Sequence, residues 1–368
     1  MRVFNQTCTW REIWTLRRSI ARALANPTRM VNGARTALAV GLRSQALLGD
    51  PVLLLVEPSS RCNLTCGLCP ITNTPPAEQG ELDLDLYQRV LDELGDSLFF
   101  LCLWFYGEPL LHPQLEAMVA QARRRGVMVA VSTNGVALEA PRVQALLDAD
   151  LDWLFVSLDG ATAATHDANR GEGSFDQASS NLRHFIRERD RRGLRKPLVE
   201  LKPILHRDNE HERDAMLALG RDLGVDRATF QLLTWAHDPT LRARAPRDPR
   251  LVLSYPDARS KPHSCARSHS TAVLGWDGTL LPCCEDHGRT MPLGDLAQAD
   301  FRTAWKGQAW RALRDDQRQH DTRPPLCQRC HIADFERVNL SVPLARWWPE
   351  RALHRSLDRL RELRSATG

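Results

Sequence analysis

The chain of 368 residues is long enough for two or three domains, and its hydrophobic share of 43% and charged share of 26% are ordinary for a soluble globular protein. No apolar run approaches the ~18 residues of a membrane span, and the first residues lack a signal-peptide pattern. The net charge of +4 is uneven, because residues 1–50 hold eight arginines against Glu12 and Asp50. The remainder is close to neutral, which argues against a nucleic-acid track. The ten cysteines fall mostly in metal-ligand spacings, so we expect a reduced, cytoplasmic protein.

Residues 1–50 are predicted to form a basic helical arm. Apolar side chains recur at helical spacing from Ile13 to Leu24, and a second helical stretch runs from about Met30 to Leu48. Packing of this arm on the main domain is the interpretation we favour. The alternative is a peripheral contact with an anionic membrane or an acidic protein.

Between residues 51 and 232, strand-like and helix-like segments alternate in six βα-type units. The predicted strands are 52–56, 99–105, 127–132, 153–157, 199–205 and 228–232, and the predicted helices are 83–94, 114–124, 140–147, 174–191 and 210–223. This alternation predicts a parallel α/β sheet. In such folds the carboxyl ends of the strands carry the functional site.

Three cysteines follow the first predicted strand with the spacing CxxxCxxC: Cys62, Cys66 and Cys69. Three thiolates on one tight loop can hold three irons of a [4Fe–4S] cube, which normally takes four thiolates. The fourth iron is then open to a small ligand. Free cysteines or half of a zinc site are the alternatives, but no second cysteine pair lies within the next thirty residues.

Polar turns follow the next predicted strands. They are Tyr106-Gly107-Glu108-Pro109, Ser132-Thr133-Asn134-Gly135 and Ser157-Leu158-Asp159-Gly160, with Arg170 and Lys202 further along the chain. A carboxylate beside a glycine turn can accept hydrogen bonds from an ammonium group, and a guanidinium can pair with a carboxylate. Each turn alone is ordinary turn chemistry, and Lys202 could simply reach solvent. Three turns in succession after the cysteine loop favour one ligand site.

This set of motifs resembles the signature of the radical S-adenosylmethionine (SAM) enzymes. The resemblance covers about residues 51–332 and implies a partial (β/α)6 TIM-type barrel over 51–232. It implies that SAM binds the open iron of the cluster and is cleaved to a 5′-deoxyadenosyl radical, which takes hydrogen from a substrate. Its expected SAM contacts are Tyr106, Gly107, Glu108, Pro109, Ser132, Asn134, Ser157, Asp159, Arg170 and Lys202. Tyr106 departs from the family, which has glycine there.

A second cysteine set follows a proline-rich connector at 233–264. Cys265 and Cys283 flank a predicted hairpin, and Cys327 and Cys330 form a CxxC pair. Four cysteines in this arrangement could bind zinc. Beside a radical SAM domain they resemble the small SPASM or twitch domain, here 265–335, which implies a second [4Fe–4S] cluster. Cys284 adjoins Cys283 and could compete as a ligand.

The expected function is a SAM-dependent radical oxidoreductase. Dehydrogenation of a small molecule is the first specific prediction, with the second cluster as electron acceptor and Glu285 or Asp286 as base. A reductant such as flavodoxin or ferredoxin would serve as partner. The alternatives are modification of a ribosomally made peptide, by thioether formation or epimerisation, and a non-catalytic cluster protein that carries electrons or acts as a scaffold. Residues 336–368 read as an amphipathic packing helix.

Overall fold

A short hairpin and two helices open the chain. They are β1 (Arg2–Val3), β2 (Gln6–Thr7), α1 (Trp10–Leu24) and α2 (Pro27–Gly41). Helix α1 starts with a capping box, in which the side chains of Thr9 and Glu12 each accept a hydrogen bond from the other's backbone N–H. Asn26 caps α2, and Pro27 occupies its first turn. Two helices in the arm were predicted from the apolar spacing.

The barrel region contains the predicted alternation and one helix more. In chain order it holds β3 (Leu53–Val56), α3 (Leu84–Leu94), β4 (Phe100–Leu103), α4 (Leu115–Arg124), β5 (Met128–Thr133), α5 (Ala140–Asp148), β6 (Trp153–Val156), α6 (Ala163–Arg170), α7 (Ser174–Arg191), β7 (Leu198–Leu201), β8 (Ile204–Leu205), α8 (Arg213–Leu223), β9 (Arg227–Ala228) and β10 (Gln231–Leu232). The last two predicted strands are each divided into two short ones. Helix α6 was not predicted.

The last described part of the chain carries a hairpin and short helices. Its elements are α9 (Arg267–Ser270), β11 (Thr271–Leu274), β12 (Thr279–Leu281), β13 (Gly294–Asp295), α10 (Phe301–Trp305), α11 (Gln308–Arg318) and α12 (Pro325–Gln328). The predicted hairpin is present, with Gly278 in its turn at a positive φ of 87°.

One nine-stranded sheet organises the described residues, in the order β13-β12-β11-β3-β4-β5-β6-β7-β9. The strands from β11 through β9 run parallel, whereas β12 and β13 are antiparallel additions at one edge. The barrel is therefore open, as expected for a partial (β/α)6 barrel. Strand β11 pairs with β3 in parallel, with Thr271 opposite Leu53. The hairpin between the cysteines thus extends the barrel sheet, which its sequence did not indicate.

Helix α1 packs against the inner face of the sheet at the amino ends of the strands. Its buried Leu16 and Ala23 share an apolar cluster with Met128, Trp153 and Leu198. These three are the first residues of β5, β6 and β7. On α2, the fully buried guanidinium of Arg29 donates to four backbone carbonyls. They belong to Ala23, Gly95, Arg125 and Gly126, and the last two lie in the turn after α4. The favoured prediction that the arm packs on the main domain agrees with these contacts.

The computed structural model describes residues 2–3, 6–42, 48–234, 239–252, 265–318, 324–328 and 330. The chain divides into two units, 1–331 and 332–368, and all described residues belong to the first. The predicted C-terminal helix at 336–368 lies outside the described residues, as does part of the connector. Among the described residues, no helix combines the length and apolar character needed to cross a membrane.

Candidate active site

The three-cysteine loop leaves the carboxyl end of β3. Cys62, Cys66 and Cys69 are all partly buried, and the N–H of Cys69 donates to the carbonyl of Cys66 at 3.1 Å. The hydroxyl of Thr72 donates to the same carbonyl at 2.8 Å. Burial raises the pKa of the Cys62 thiol to about 11. The loop therefore presents three thiols from one tight turn.

Gly107 fits tightly against this loop. Its φ is +70°, and a Cβ at this position would lie 2.2 Å from the carbonyl oxygen of Ser59 and 2.7 Å from that of Arg61. The next residue, Glu108, donates its N–H to the Arg61 carbonyl at 2.8 Å. Only glycine allows this approach, so the turn after β4 is clamped onto the start of the cysteine loop. Pro109 begins the 3-10 turn Pro109–Leu111 that follows.

The carboxylate of Glu108 ties this turn to the turn after β5. One oxygen accepts from the Thr133 hydroxyl at 2.7 Å and the Leu110 N–H at 3.0 Å, and the other accepts from the Asn134 N–H at 2.8 Å. Burial raises the pKa of Glu108, and these donors lower it in part. Both oxygens are occupied by protein donors, so Glu108 acts here as a brace between two turns.

Asn134 continues the connection back to the cysteine loop. Its amide nitrogen donates to the Asn63 side-chain oxygen at 2.8 Å and lies 3.8 Å from the sulfur of Cys62. Gly135, at a φ of +82°, then allows the chain to turn away. The turns after β3, β4 and β5 therefore form one hydrogen-bonded assembly at the carboxyl edge of the sheet.

A buried ion pair lies after β6. Asp159 accepts from the Arg170 Nε at 2.7 Å and from the Asn169 amide at 3.2 Å. Burial is the largest influence on the pKa of Asp159 and raises it, but Arg170, the Ile204 N–H and His166 together lower it, so the net shift is downward. His166 accepts from the Asp159 N–H at 3.0 Å, and burial lowers its pKa to about 4, so its ring is neutral at pH 7.

This ion pair also contacts the cysteine loop. The N–H of Gly67 donates to the Asn169 carbonyl at 2.9 Å. The Arg170 guanidinium lies near the thiols of Cys66 and Cys69 and interacts with their charge. Its two terminal amino groups make no hydrogen bond within the part of the chain that the structure describes. A positive charge with free donors therefore adjoins two of the three thiols.

Three other predicted SAM contacts lie near the same edge of the sheet. Ser132, Ser157 and Lys202 are partly buried. Strand alternation places them on the inner face, two positions beyond buried inner residues. The ammonium of Lys202 lies 4.7 Å from the centroid of the Phe155 ring, and burial lowers its pKa. Lys202 thus points into the barrel interior rather than to solvent.

The first two members of the second cysteine set flank the hairpin of β11 and β12, with Cys265 before it and Cys283 after it. Cys283 is close to Cys265 and Cys284, whose charges add to burial in raising its pKa. The Cys284 sulfur instead accepts from the Arg267 guanidinium at 2.6 Å and packs with Cys102 inside the barrel. The Cys327 sulfur accepts from the Gln317 amide at 3.6 Å, and Cys330 is partly buried.

The two predicted bases, Glu285 and Asp286, are buried rather than on the surface. Asp286 accepts from the N–H and hydroxyl of Thr290, both at 2.8 Å, and from the Met291 N–H at 3.0 Å, so it caps a turn. Glu285 lies 3.8 Å from the Cys284 sulfur, and burial raises its pKa. Their role as bases stays a prediction.

Tyr106 connects the turn after β4 with the segment that follows Cys283. Its ring meets the His287 ring edge-on, with centroids 5.2 Å apart. Its hydroxyl is buried and has no hydrogen-bond partner in the described ranges. The residue that replaces the family's glycine therefore contacts the segment that follows Cys283.

Comparison with known proteins identifies the family. Residues 56–220 match the Radical SAM superfamily, and residues 265–331 match the SPASM iron-sulfur cluster-binding domain. The two matches together span well over half of the chain. The protein belongs to the radical SAM superfamily. It is a radical SAM enzyme with a SPASM domain, and its cofactors are SAM and [4Fe–4S] clusters.

Relatives and solved structures agree with this assignment. The chain is 23% identical over 250 residues, 62% of its length and 70% of the relative's, to a Pyrococcus furiosus protein named tungsten-containing aldehyde ferredoxin oxidoreductase cofactor-modifying protein. It is 28% identical to the PqqA peptide cyclase of Ruegeria pomeroyi, over 79% of this chain and 81% of that one. Several other relatives are matched over less than half of their length. Streptococcus suis SuiB, in a structure bound to S-adenosylmethionine, has the same fold, with a TM-score of 0.57 and 15% identity over 80% of this chain and 77% of SuiB.

The residues at the carboxyl edge fit these cofactors chemically. Three thiols on one loop suit the three protein-bound irons of an open cube. The Asn169 side-chain oxygen is buried without a partner among the described residues and lies 3.7 Å from the position of a Cβ on Gly67. An unfilled acceptor and the free amino groups of Arg170 beside the loop match the ammonium and carboxylate of an amino acid.

Several residues of the site were not predicted. Thr133, Asn63, Asn169 and Arg267 all make contacts that position predicted residues. Asn63 lies within the CxxxCxxC loop and Thr133 within the turn 132–135, so their positions were the available signal. Asn169 and Arg267 lie outside the predicted motifs, and their partners Asp159 and Cys284 are ten and seventeen residues away in the sequence, so no local pattern pointed to them.

Proposed function

We propose that Cys62, Cys66 and Cys69 hold the SAM-binding cluster and that the turns after β4, β5 and β6 bind SAM. The observation that carries this proposal is the continuous set of hydrogen bonds at one edge of the sheet. It runs from the cysteine loop through Glu108 and Asn134, and separately through Asn169 to the Asp159 ion pair. Ordinary turns would have no reason to converge on one loop.

The chain's own residues have distinct parts in this proposal. When bound, the first cluster supplies the electron that cleaves SAM, and the SPASM cluster supplies a redox partner. Arg170 offers two free donors for the carboxylate of SAM, and Asn169 offers an acceptor for its ammonium group. Glu108 holds the turns in register, and the acceptor capacity left on its carboxylate suits the ammonium group of SAM. Lys202 and Phe155 line the interior beyond them.

The SPASM cluster would be held by Cys265, Cys283, Cys327 and Cys330. Cys284 is the less suitable ligand, because its sulfur is engaged by Arg267 and packs toward the barrel interior. Cys283 lies beside Cys265, and the Arg267 hydrogen bond at 2.6 Å is made to Cys284 rather than to Cys283. Zinc at this site is the alternative, and metal analysis distinguishes the two.

For the reaction, we propose oxidation of a small molecule held in the barrel interior. A carbinol that becomes a ketone loses one hydrogen atom, one proton and one electron, so the site needs a base and an electron acceptor. Glu285 is the proposed base, since Asp286 is committed to its turn. The partly buried Lys202 suits a substrate with negative charge or a hydrogen-bond acceptor.

Peptide modification is the second candidate. It is favoured by the match to the PqqA peptide cyclase, which extends over 79% of this chain. The discriminating observation is a short precursor peptide encoded beside the gene, tested as substrate with the purified enzyme.

The proposed site is tested by SAM cleavage under anaerobic, reducing conditions. The variant Cys62→Ala with Cys66→Ala and Cys69→Ala is expected to make no 5′-deoxyadenosine. Cys8→Ala is the matched control, because Cys8 is buried in the arm cluster and should leave cleavage unchanged. Cleavage by the triple variant would show that the cluster lies elsewhere.

A further inference from the structure

The outward face of α2 is apolar. Met30, Val31, Leu38 and Leu42 are 45 to 66% exposed, while the helix buries its opposite face against the main domain. Helical spacing places them on one stripe together with Ala34, Ala37 and Gly41. A surface helix usually carries polar side chains on this face. This helix exposes an apolar stripe instead.

The outward face of α1 combines tryptophan with arginine. Trp14 is 57% exposed, and the guanidinium of Arg17 lies 4.1 Å from its ring centroid. Leu24 is 50% exposed on the same side. Exposed arginines on the two helices are Arg11, Arg18, Arg22 and Arg35. Aromatic rings interleaved with arginine are typical of helices that lie at a membrane interface.

The arm presents no negative charge to balance these arginines. The two acids within residues 1–50 are Glu12 and Asp50, and both are buried. Glu12 pairs with Arg227 at 3.3 Å, and Asp50 pairs with Arg302 at 2.9 Å. The surface is therefore both apolar and purely cationic.

We infer that the outward faces of α1 and α2 dock the enzyme on an anionic lipid bilayer. The charge favours an anionic occupant and disfavours a second copy, whose arm would be equally positive. A bilayer accepts irregular apolar side chains without a complementary groove, and each surface arginine adds about 1 kcal/mol of attraction to anionic lipid.

The fold orients the docked enzyme. Helix α1 packs at the amino ends of β5, β6 and β7, whereas the cysteine loop leaves the carboxyl end of β3. The two functions thus lie at opposite ends of the parallel sheet. Docking variants should therefore keep full SAM cleavage.

The test is sedimentation of the full-length protein with vesicles. Phosphatidylcholine vesicles containing about a third phosphatidylglycerol should bind it, whereas pure phosphatidylcholine vesicles should bind it weakly. The variant Val31→Gln with Leu38→Gln and Leu42→Gln should lose most binding. Leu194→Gln, an exposed leucine outside the arm, is its control.

Charge is tested separately. Arg18→Glu with Arg22→Glu should weaken binding at least about 25-fold, at about five-fold for each positive charge removed. Arg207→Glu with Arg213→Glu changes the net charge equally at the other end of the barrel and should have a much smaller effect.

Hydrogen exchange locates the contact without any substitution. Anionic vesicles should slow exchange within residues 10–42 and leave the strands unchanged. The inference is overturned if anionic vesicles do not bind the protein, or if the glutamine variant binds as well as the unmodified chain. It is also overturned if that variant only dissociates a dimer, which would make the stripe a protein interface.

Discussion

Replacement of Asp159 by asparagine should destabilise the protein more than any surface charge change. Asp159 is fully buried, and its Arg170 partner is 11% exposed at an N–O distance of 2.7 Å. Removing one member of a buried pair leaves the other charge without compensation, which costs about 3–5 kcal/mol. The asparagine amide would also place a donor near the donors of Arg170, Asn169 or Ile204. A loss on the order of 10 °C in melting temperature follows.

A matched control exists on the surface. Asp148 pairs with Arg192 at the same distance of 2.7 Å, but Asp148 is 71% exposed. Asp148→Asn should therefore cost at most about 1 kcal/mol. Thermal and urea unfolding of both variants, handled anaerobically, measure the difference. The depressed pKa of Asp159 adds a pH signature, because its stabilisation is present above the unfolded-state pKa and is lost as acid protonates the folded carboxylate. Equal stability of the two variants would refute the reasoning.

Three further predictions concern His166, Gly107 and the second cysteine set. His166 has a folded pKa of about 4 against 6.5 when unfolded, so stability should fall by up to about 3 kcal/mol as the pH drops from about 6.5 to 4, and His166→Asn should remove that dependence in urea titrations. Gly107→Ala should destabilise the protein by several kcal/mol more than Gly173→Ala, on the order of 1–2 kcal/mol, since both glycines have positive φ but only a Cβ at 107 would collide with backbone; equal melting temperatures would contradict this. Purified protein should hold about eight irons per chain and the variant Cys327→Ala with Cys330→Ala about four; one zinc with four irons in the unmodified protein would favour the zinc alternative.

Local periodicity explains which elements could be predicted. Helix Ser174–Arg191 has the predicted bounds, because its apolar spacing extends over eighteen residues. Helix Ala163–Arg170 was missed, since it has eight residues and few apolar ones. It is held by the bonds of His166 and Arg170 to Asp159, which are tertiary contacts.

Motif spacing predicted residues of the site but not their partners. The quoted turns lie at the carboxyl edge, where βα alternation places them. The contact of Glu108 with the SAM amino group stays a prediction, and the structure adds that Glu108 accepts hydrogen bonds from Thr133, Leu110 and Asn134. These hydrogen bonds depend on the exact approach of two turns, which sequence spacing does not encode. The parallel pairing of β11 with β3 likewise joins segments more than two hundred residues apart.

The parallel pairing of β11 with β3 also sets the distance between the cysteine loop and Cys283. The cysteine loop starts at the carboxyl end of β3, whereas the register of β12 against β11 places Cys283 toward the amino end. With a rise of about 3.3 Å per residue, the four-residue strand β3 separates the start of the cysteine loop from the level of Cys283 by roughly 10 Å. The chain after Cys283 then returns toward the carboxyl end, since His287 contacts the ring of Tyr106 and Arg289 pairs with Glu57 at 3.5 Å. This returning segment, 284–289, therefore connects Cys283 with the turn after β4 and the end of β3. Under the proposed function, substitutions within it should change the relative turnover of candidate substrates, measured by product formation, while SAM cleavage in the absence of substrate persists. Unchanged relative turnover would contradict this prediction.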